Sequence, residues 1–214
     1  MKHLLGSALG ACLAVVAFHT AWAAPFVYVA SGNAGTIAVV DAANNTLAAT
    51  VTLEPGLRAV AVNRRGTVIY AAGAYGGNLV VWSIDALTNK VLSRTPVPKA
   101  ASPQAVPLAA GGIAINASAT RVYAISEGND LAVVDTATHS VIAHANAGTG
   151  FASGGVAINP AGTRVYVADL VYGDLHVVDA ETYKHLAQVS LVMMIEGVAT
   201  SSDGSRIYVA DSCC

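Results

Sequence analysis

The hydrophobic pattern from residue 26 to residue 211 is one of short runs. Four to seven apolar residues, rich in Val and Ile, are closed off each time by Gly, Asn, Asp or Pro. "FVYVAS" at 26, "VIYAAG" at 68, "RVYAIS" at 121, "RVYVAD" at 164 and "RIYVAD" at 206 are versions of one phrase. Runs of that length, bounded by turn formers and enriched in β-branched residues, predict strands rather than helices. The tyrosines Tyr28, Tyr70, Tyr123, Tyr166 and Tyr208 are spaced 42, 53, 43 and 42 apart. A second phrase, "IAVVDA", "VWSIDA", "LAVVDT" and "LHVVDA", places Asp41, Asp85, Asp135 and Asp179 on the same beat. A third precedes each later tyrosine: "LRAVAVNRRGT", "GGIAINASAT", "GGVAINPAGT" and "EGVATSSDGS".

Each unit reads as four strands, A to D. In the fourth unit these are 155–159, 164–168, 174–179 and 184–191. "NPAGT" and its counterparts form the A to B hairpin turn, with glycine available for positive φ. "DAETYK" and its counterparts turn C into D, with the Asp accepting backbone N–H bonds as an Asx turn. A unit of about 42 residues made of four antiparallel strands is the blade of a β-propeller. The fold class expected is therefore all-β, about four blades plus a partial one. The phrases begin with a B strand and close on an A and a B, so an incomplete ring is expected, its first blade lacking the innermost A strand. Open blade ends of that kind invite self-association, or fraying that begins in residues 195–214.

These units resemble the YVTN family of β-propeller repeats: "YVAD", "YVAS", "YAIS" and "YAAG" stand where that family has Tyr-Val-Thr-Asn, each followed by a "VVD"-like phrase, over residues 26–212. The resemblance implies an exported propeller. Some similar proteins are attached to surface layers or found beside periplasmic redox proteins. It also brings in the alternatives of a lactonase-like hydrolase, or a subunit of a periplasmic redox enzyme like the quinoprotein amine dehydrogenases.

Residues 1–23 have the form of a secretory signal. Lys2 and His3 make a basic start, Leu4 to Phe18 is almost wholly apolar, and Ala21-Trp22-Ala23 supplies small residues for cleavage after Ala23. His19 and Thr20 interrupt the apolar run before the roughly 20 residues that span a bilayer. Residues 24–214 form the repeat domain, with a periplasmic or secreted location and no membrane association after cleavage. The full chain carries a net charge of −2, which becomes −3 once Lys2 leaves. That balance, with no basic stripe, argues against nucleic acid. Cys12 leaves with the signal, so Cys213 and Cys214 remain. They admit a vicinal disulfide, an intermolecular bond, a soft-metal site or no role.

The A to B and C to D turns are short and regular. The B to C and D to A connections share the opposite face and vary in length, as loops that carry function on a rigid scaffold do. The longest, "PVPKAASPQAVPLAAGG" at 96–112, is a stiff insertion that reads either as a lid or as tolerated surface. Tyr75 and Tyr172 fall in B to C loops, while Arg58, Phe151 and Glu196 fall near the starts of innermost A strands. Together they suit a protein partner or a small polar or aromatic ligand. His139, His144, His176 and His185 fall at different places in their blades. No His-x-His, His-Glu-x-x-His or Gly-x-Ser-x-Gly spacing occurs, so no catalytic residues, metal or cofactor are expected.

Overall fold

The computed structural model describes residues 14–16, 26–98, 111–125, 130–146, 153–170, 172–191 and 195–211. Every element among them is a strand. Sheet 1 is built from β1 (Ala14–Val16), β2 (Phe26–Ser31), β3 (Thr36–Asp41) and β4 (Thr46–Thr52). Sheet 2 follows with β5 (Leu57–Val62), β6 (Val68–Tyr75), β7 (Asn78–Asp85) and β8 (Val91–Val97). Sheet 3 holds β9 (Ile113–Ile115), β10 (Arg121–Ile125), β11 (Asp130–Asp135) and β12 (Ser140–Asn146). Sheet 4 holds β13 (Ser153–Ile158), β14 (Arg164–Asp169), β15 (Asp174–Asp179) and β16 (His185–Ser190). The last sheet pairs β17 (Ile195–Thr200) with β18 (Ile207–Asp211). All pairings are antiparallel and join neighbours in sequence.

The first strands β1, β5, β9, β13 and β17 lie side by side in order, and the sheets stack face to face beyond them. Four apolar clusters fill the junctions between successive sheets. The middle sheets are therefore buried on both faces, whereas the outermost strands β4, β12 and β16 are largely exposed. This is an all-β, propeller-like arrangement of four-stranded sheets. It departs from expectation at one place. The innermost position of sheet 1, left empty by the repeat phrases, is taken by Ala14–Val16, which pairs with Val27–Val29 of β2. An edge strand with unpaired N–H and C=O groups accepts whatever extended segment reaches it, and here that segment lies within the expected signal.

Two turn designs recur. In the A to B turns, Asn63, Asn116 and Asn159 each accept two backbone N–H bonds through Oδ1 and donate through Nδ2 to a threonine hydroxyl, Thr67, Thr120 or Thr163. Ser201 replaces the asparagine in the last turn and accepts from the Arg206 N–H at 2.9 Å. In the C to D turns, Asp41, Asp85, Asp135 and Asp179 form the expected Asx turns. Hydrogen bonds from Thr88, Thr138 and Thr182 hold the last three carboxyls below the usual carboxylate range.

The A to B turn needs one left-handed residue, supplied by Gly66, Gly162 and Gly204 at φ of 68°, 71° and 73°. In sheet 3 that position is Ala119, at φ 58°. An L-residue there costs about 1–2 kcal/mol, and its carbonyl accepts from the Thr136 hydroxyl, so the geometry is held in place. We expect Ala119→Gly to raise stability by roughly 1 kcal/mol, seen as a melting temperature higher by about 2–4 °C. An unchanged or lower melting temperature contradicts the assignment of strain.

Candidate functional site

Among the expected site residues, Tyr75 is 44% exposed and is the last residue of β6, paired with Asn78, rather than part of the loop as expected, while Tyr172 is 51% exposed in the turn after β14. The Arg94 guanidinium lies 5.8 Å from the centre of the Tyr75 ring, and Arg94 Nε donates to Glu54 Oε2 at 2.9 Å. The Tyr172 N–H donates to Asp169 Oδ1 at 3.0 Å. Arg58 on β5 and Glu196 on β17 are exposed on innermost strands, with β9 and β13 between them. Among the described residues these four are not drawn into a single contact cluster. Phe151 and most of the insertion at 96–112 lie outside the described residues, as do Cys12, Cys213 and Cys214.

Glycines let the innermost strands approach one another. A Cβ on Gly154 would sit 2.3 Å from the Ile195 carbonyl oxygen, and one on Gly155 would sit 2.8 Å from the Val198 nitrogen. On Gly112 it would meet the Val156 nitrogen at 2.6 Å. The "GG" that opens these A strands is thus a packing device for the centre of the molecule.

Beneath the loop face lies a set of buried polar groups that sequence reasoning did not bring together. Asp130, Asp169, Asp174 and His176 are 6%, 2%, 8% and 1% exposed. They sit at the ends of B strands and the starts of C strands, under the B to C turns. In sheet 3, Asp130 Oδ2 meets His144 Nδ1 at 2.6 Å. Burial pushes the Asp130 carboxyl up, and the bond and charge of His144 pull it partly back. Sheet 4 repeats the device, with Gln188 Nε2 donating to Asp174 Oδ2 at 2.6 Å.

Next to that pair, His176 Nδ1 lies 3.2 Å from His185 Nε2, and its Nε2 lies 3.7 Å from Asp169 Oδ2. The second distance is too long for a hydrogen bond; the contact is electrostatic. His176 occupies the repeat position of Trp82 in sheet 2 and faces the junction with sheet 3, where Val165, Val167 and Val178 of its own sheet are buried. The meeting with His185 depends on a bulge. Val177 pairs with Ala187 but Val178 pairs with His185, so Leu186 is extruded and His185 takes the face of His176. The same shift occurs in sheets 1 to 3 and turns Leu92 and Ile142 outward, which explains their exposure of 53% and 46%. The signal available in the sequence was the alignment of "LHVVDA" with "VWSIDA", which puts a histidine at a core position. Its partner across a bulge left none.

Burial holds the His176 imidazole below its usual value, the neighbouring His185 adds to this, and Asp169 and Asp174 oppose it. The histidine is neutral in the fold, while in the unfolded chain it titrates near 6.5. Its contribution is fully present above that pH and is lost as pH falls below it, because the unfolded chain then binds a proton that the fold resists. We expect urea midpoints to fall between pH 7.5 and 5.5, and His176→Ala, though less stable throughout, to show a smaller fall. Equal falls in both proteins contradict this account. Among the described residues no group of three or more His, Cys, Asp or Glu is placed to hold a metal ion.

This fold and face define an all-β protein of stacked four-stranded sheets in a propeller-like order. No protein-family model matches the chain, and no curated protein does. Among solved structures it is similar to a chain of Kuenenia stuttgartiensis hydrazine synthase, at 17% identity and a TM-score of 0.71 over 86% of this chain and 51% of that one. It is also similar to a functionally unknown protein from Desulfotomaculum acetoxidans DSM 771, at 18% identity and a TM-score of 0.71 over 87% and 59% of the two chains. The chain therefore spans only 51% and 59% of the lengths of these two structures. At such identities the likeness is one of fold.

Proposed function

We propose that this chain is an exported β-propeller module of the YVTN type, four blades and part of a fifth, that binds a protein partner on its loop face. The observation that carries the reading is the pair of aromatic side chains, Tyr75 at the end of β6 and Tyr172 in the turn after β14, at 44% and 51% exposure. Tyrosine and arginine anchor protein interfaces out of proportion to their number, since each presents a large area with a polar end. Arg94 stacks beside Tyr75, while Arg58 and Glu196 add one charge of each sign on the inner strands. The aligned phrases and the leader-like residues 1–23 support the family and the periplasmic or secreted location.

Photo-crosslinking in the producing cell tests the face directly. A photo-reactive residue placed at 75 or 172 is expected to capture one discrete partner, and at 44 or 181, in the C to D turns of the opposite face, to capture none. Tyr75→Ala with Tyr172→Ala should weaken binding of the partner so identified by at least about tenfold. Equal capture from both faces, or turnover of a small molecule at this face with no partner captured, overturns the reading.

A further inference from the structure

At each internal junction the B-strand tyrosine of one sheet is covered by the next. Tyr28, Tyr70, Tyr123 and Tyr166 are 5%, 6%, 1% and 6% exposed and belong, in order, to the four clusters between successive sheets. The receiving face is also constant. In sheet 2 it is Ile69, Ala71, Trp82 and Ile84, all packed toward sheet 1. At two of these junctions the tyrosine hydroxyl reaches the residue that follows the C-strand aspartate of the next sheet. Tyr123 Oη donates to the Ala180 carbonyl at 3.2 Å, and Arg121 Nη1 donates to the same oxygen at 3.1 Å. Tyr70 bonds with the corresponding Thr136.

The fifth tyrosine breaks the series. Tyr208 on β18 is 56% exposed, and Ile207 beside it is 38% exposed. Arg206 precedes it as Arg121 precedes Tyr123 by two positions. At the other end, the repeat places Val27, Val29, Ala38 and Val40 of sheet 1 where sheet 2 has Ile69, Ala71, Trp82 and Ile84. All four are only half-buried, whereas their sheet 2 counterparts are at most 2% exposed. The four apolar clusters lie between successive sheets, and among the described residues none joins β17 and β18 to sheet 1.

We propose that these two faces are the halves of one further junction and that a second copy of the chain supplies the missing half. The β18 face of one copy seats on the outer face of sheet 1 of the next, with Tyr208 packed against Val27, Val29, Ala38 and Val40. Tyr208 Oη and the Arg206 guanidinium then donate to the Ala42 carbonyl, the place in sheet 1 that Ala180 holds in sheet 4. The occupant is specified by the molecule itself, because a B-strand tyrosine already meets a receiving face built from B and C strands at three junctions within one chain. The contact is head to tail, so it is heterologous and propagates or closes according to its rotation. It uses the ends of the stack and not the loop face that carries Tyr75 and Tyr172.

Sedimentation of the full chain over a range of concentrations reads the association, and a mixture of isotopically light and heavy protein reads its geometry. With a photo-reactive phenylalanine derivative at position 208, the expected product is a crosslink to residues 26–42 that joins a light copy to a heavy one. Tyr208→Arg should weaken association at least about tenfold, and Val29→Lys, on the opposite half, should do the same. A monomer at every concentration overturns the proposal. So does a crosslink confined to single copies, which means the stack closes on itself or is capped from within. Association that Tyr208→Arg and Val29→Lys both leave unchanged places the contact elsewhere and overturns it as well.

Discussion

Gly56→Ala is expected to cost about 2–5 kcal/mol, enough to unfold much of the protein under ordinary conditions. Gly56 links sheet 1 to sheet 2 at φ 96°, a conformation that L-residues rarely adopt. Its N–H donates to the Gly32 carbonyl at 2.8 Å and its carbonyl accepts from Ala74 N–H at 3.0 Å, so both sheets hold its backbone. A Cβ there would lie 2.1 Å from the Ala74 carbonyl oxygen, which belongs to β6 and has no room to retreat. The matched control is Gly76→Ala. Gly76 has φ 60° but nothing within 4 Å of its Cβ position, so that change costs only the backbone strain of about 1–2 kcal/mol. Chemical denaturation of both variants separates the two contributions. Equal losses would show that the close approach at Gly56 is unimportant.

Trp82→Ala should lower the unfolding free energy by about 3–5 kcal/mol. Trp82 is 2% exposed on β7, paired in register with Ala71, and lies in the cluster that joins sheet 2 to sheet 1. The corresponding positions in the other sheets are Ala38, Ala132 and His176, so this junction relies on one indole where others use smaller groups. Its loss leaves a cavity between two sheets rather than within one, and the expected mark is weakened docking of sheet 1. Hydrogen exchange should show β2 and β3 losing protection before β10 and β11. Uniform loss across all sheets would mean that the stack unfolds as one unit and that Trp82 has no local role.

The repeat was legible because it is enforced locally. A strand's length follows from its apolar run, and the hairpin turns follow from Asn, Asp and Gly at fixed offsets. Strand boundaries in sheet 4 accordingly fall within two residues of those read from the sequence. The tyrosines of the repeated phrase are buried in four of its five copies. Tyr208 carries the same letters and is exposed, since burial of a sheet face is conferred by the neighbouring sheet and not by the residue. The polar groups beneath the loop face escaped for a related reason. Asp130 and His144 are 14 residues apart, and they meet only because β11 and β12 pair in one particular register.

The sequence alone determined the all-β class, the four-strand unit, and the Asx and asparagine turns, because each depends on neighbours within a few positions. The tertiary structure decided which copies of the repeat are covered and where the bulges fall. It also decided that His176 is buried beside Asp169 and meets the exposed His185, and that Ala14–Val16 pairs with β2. Those outcomes depend on register and on stacking between sheets. A shift of one residue in register sends a side chain to the opposite face, and no local pattern of residues records that shift.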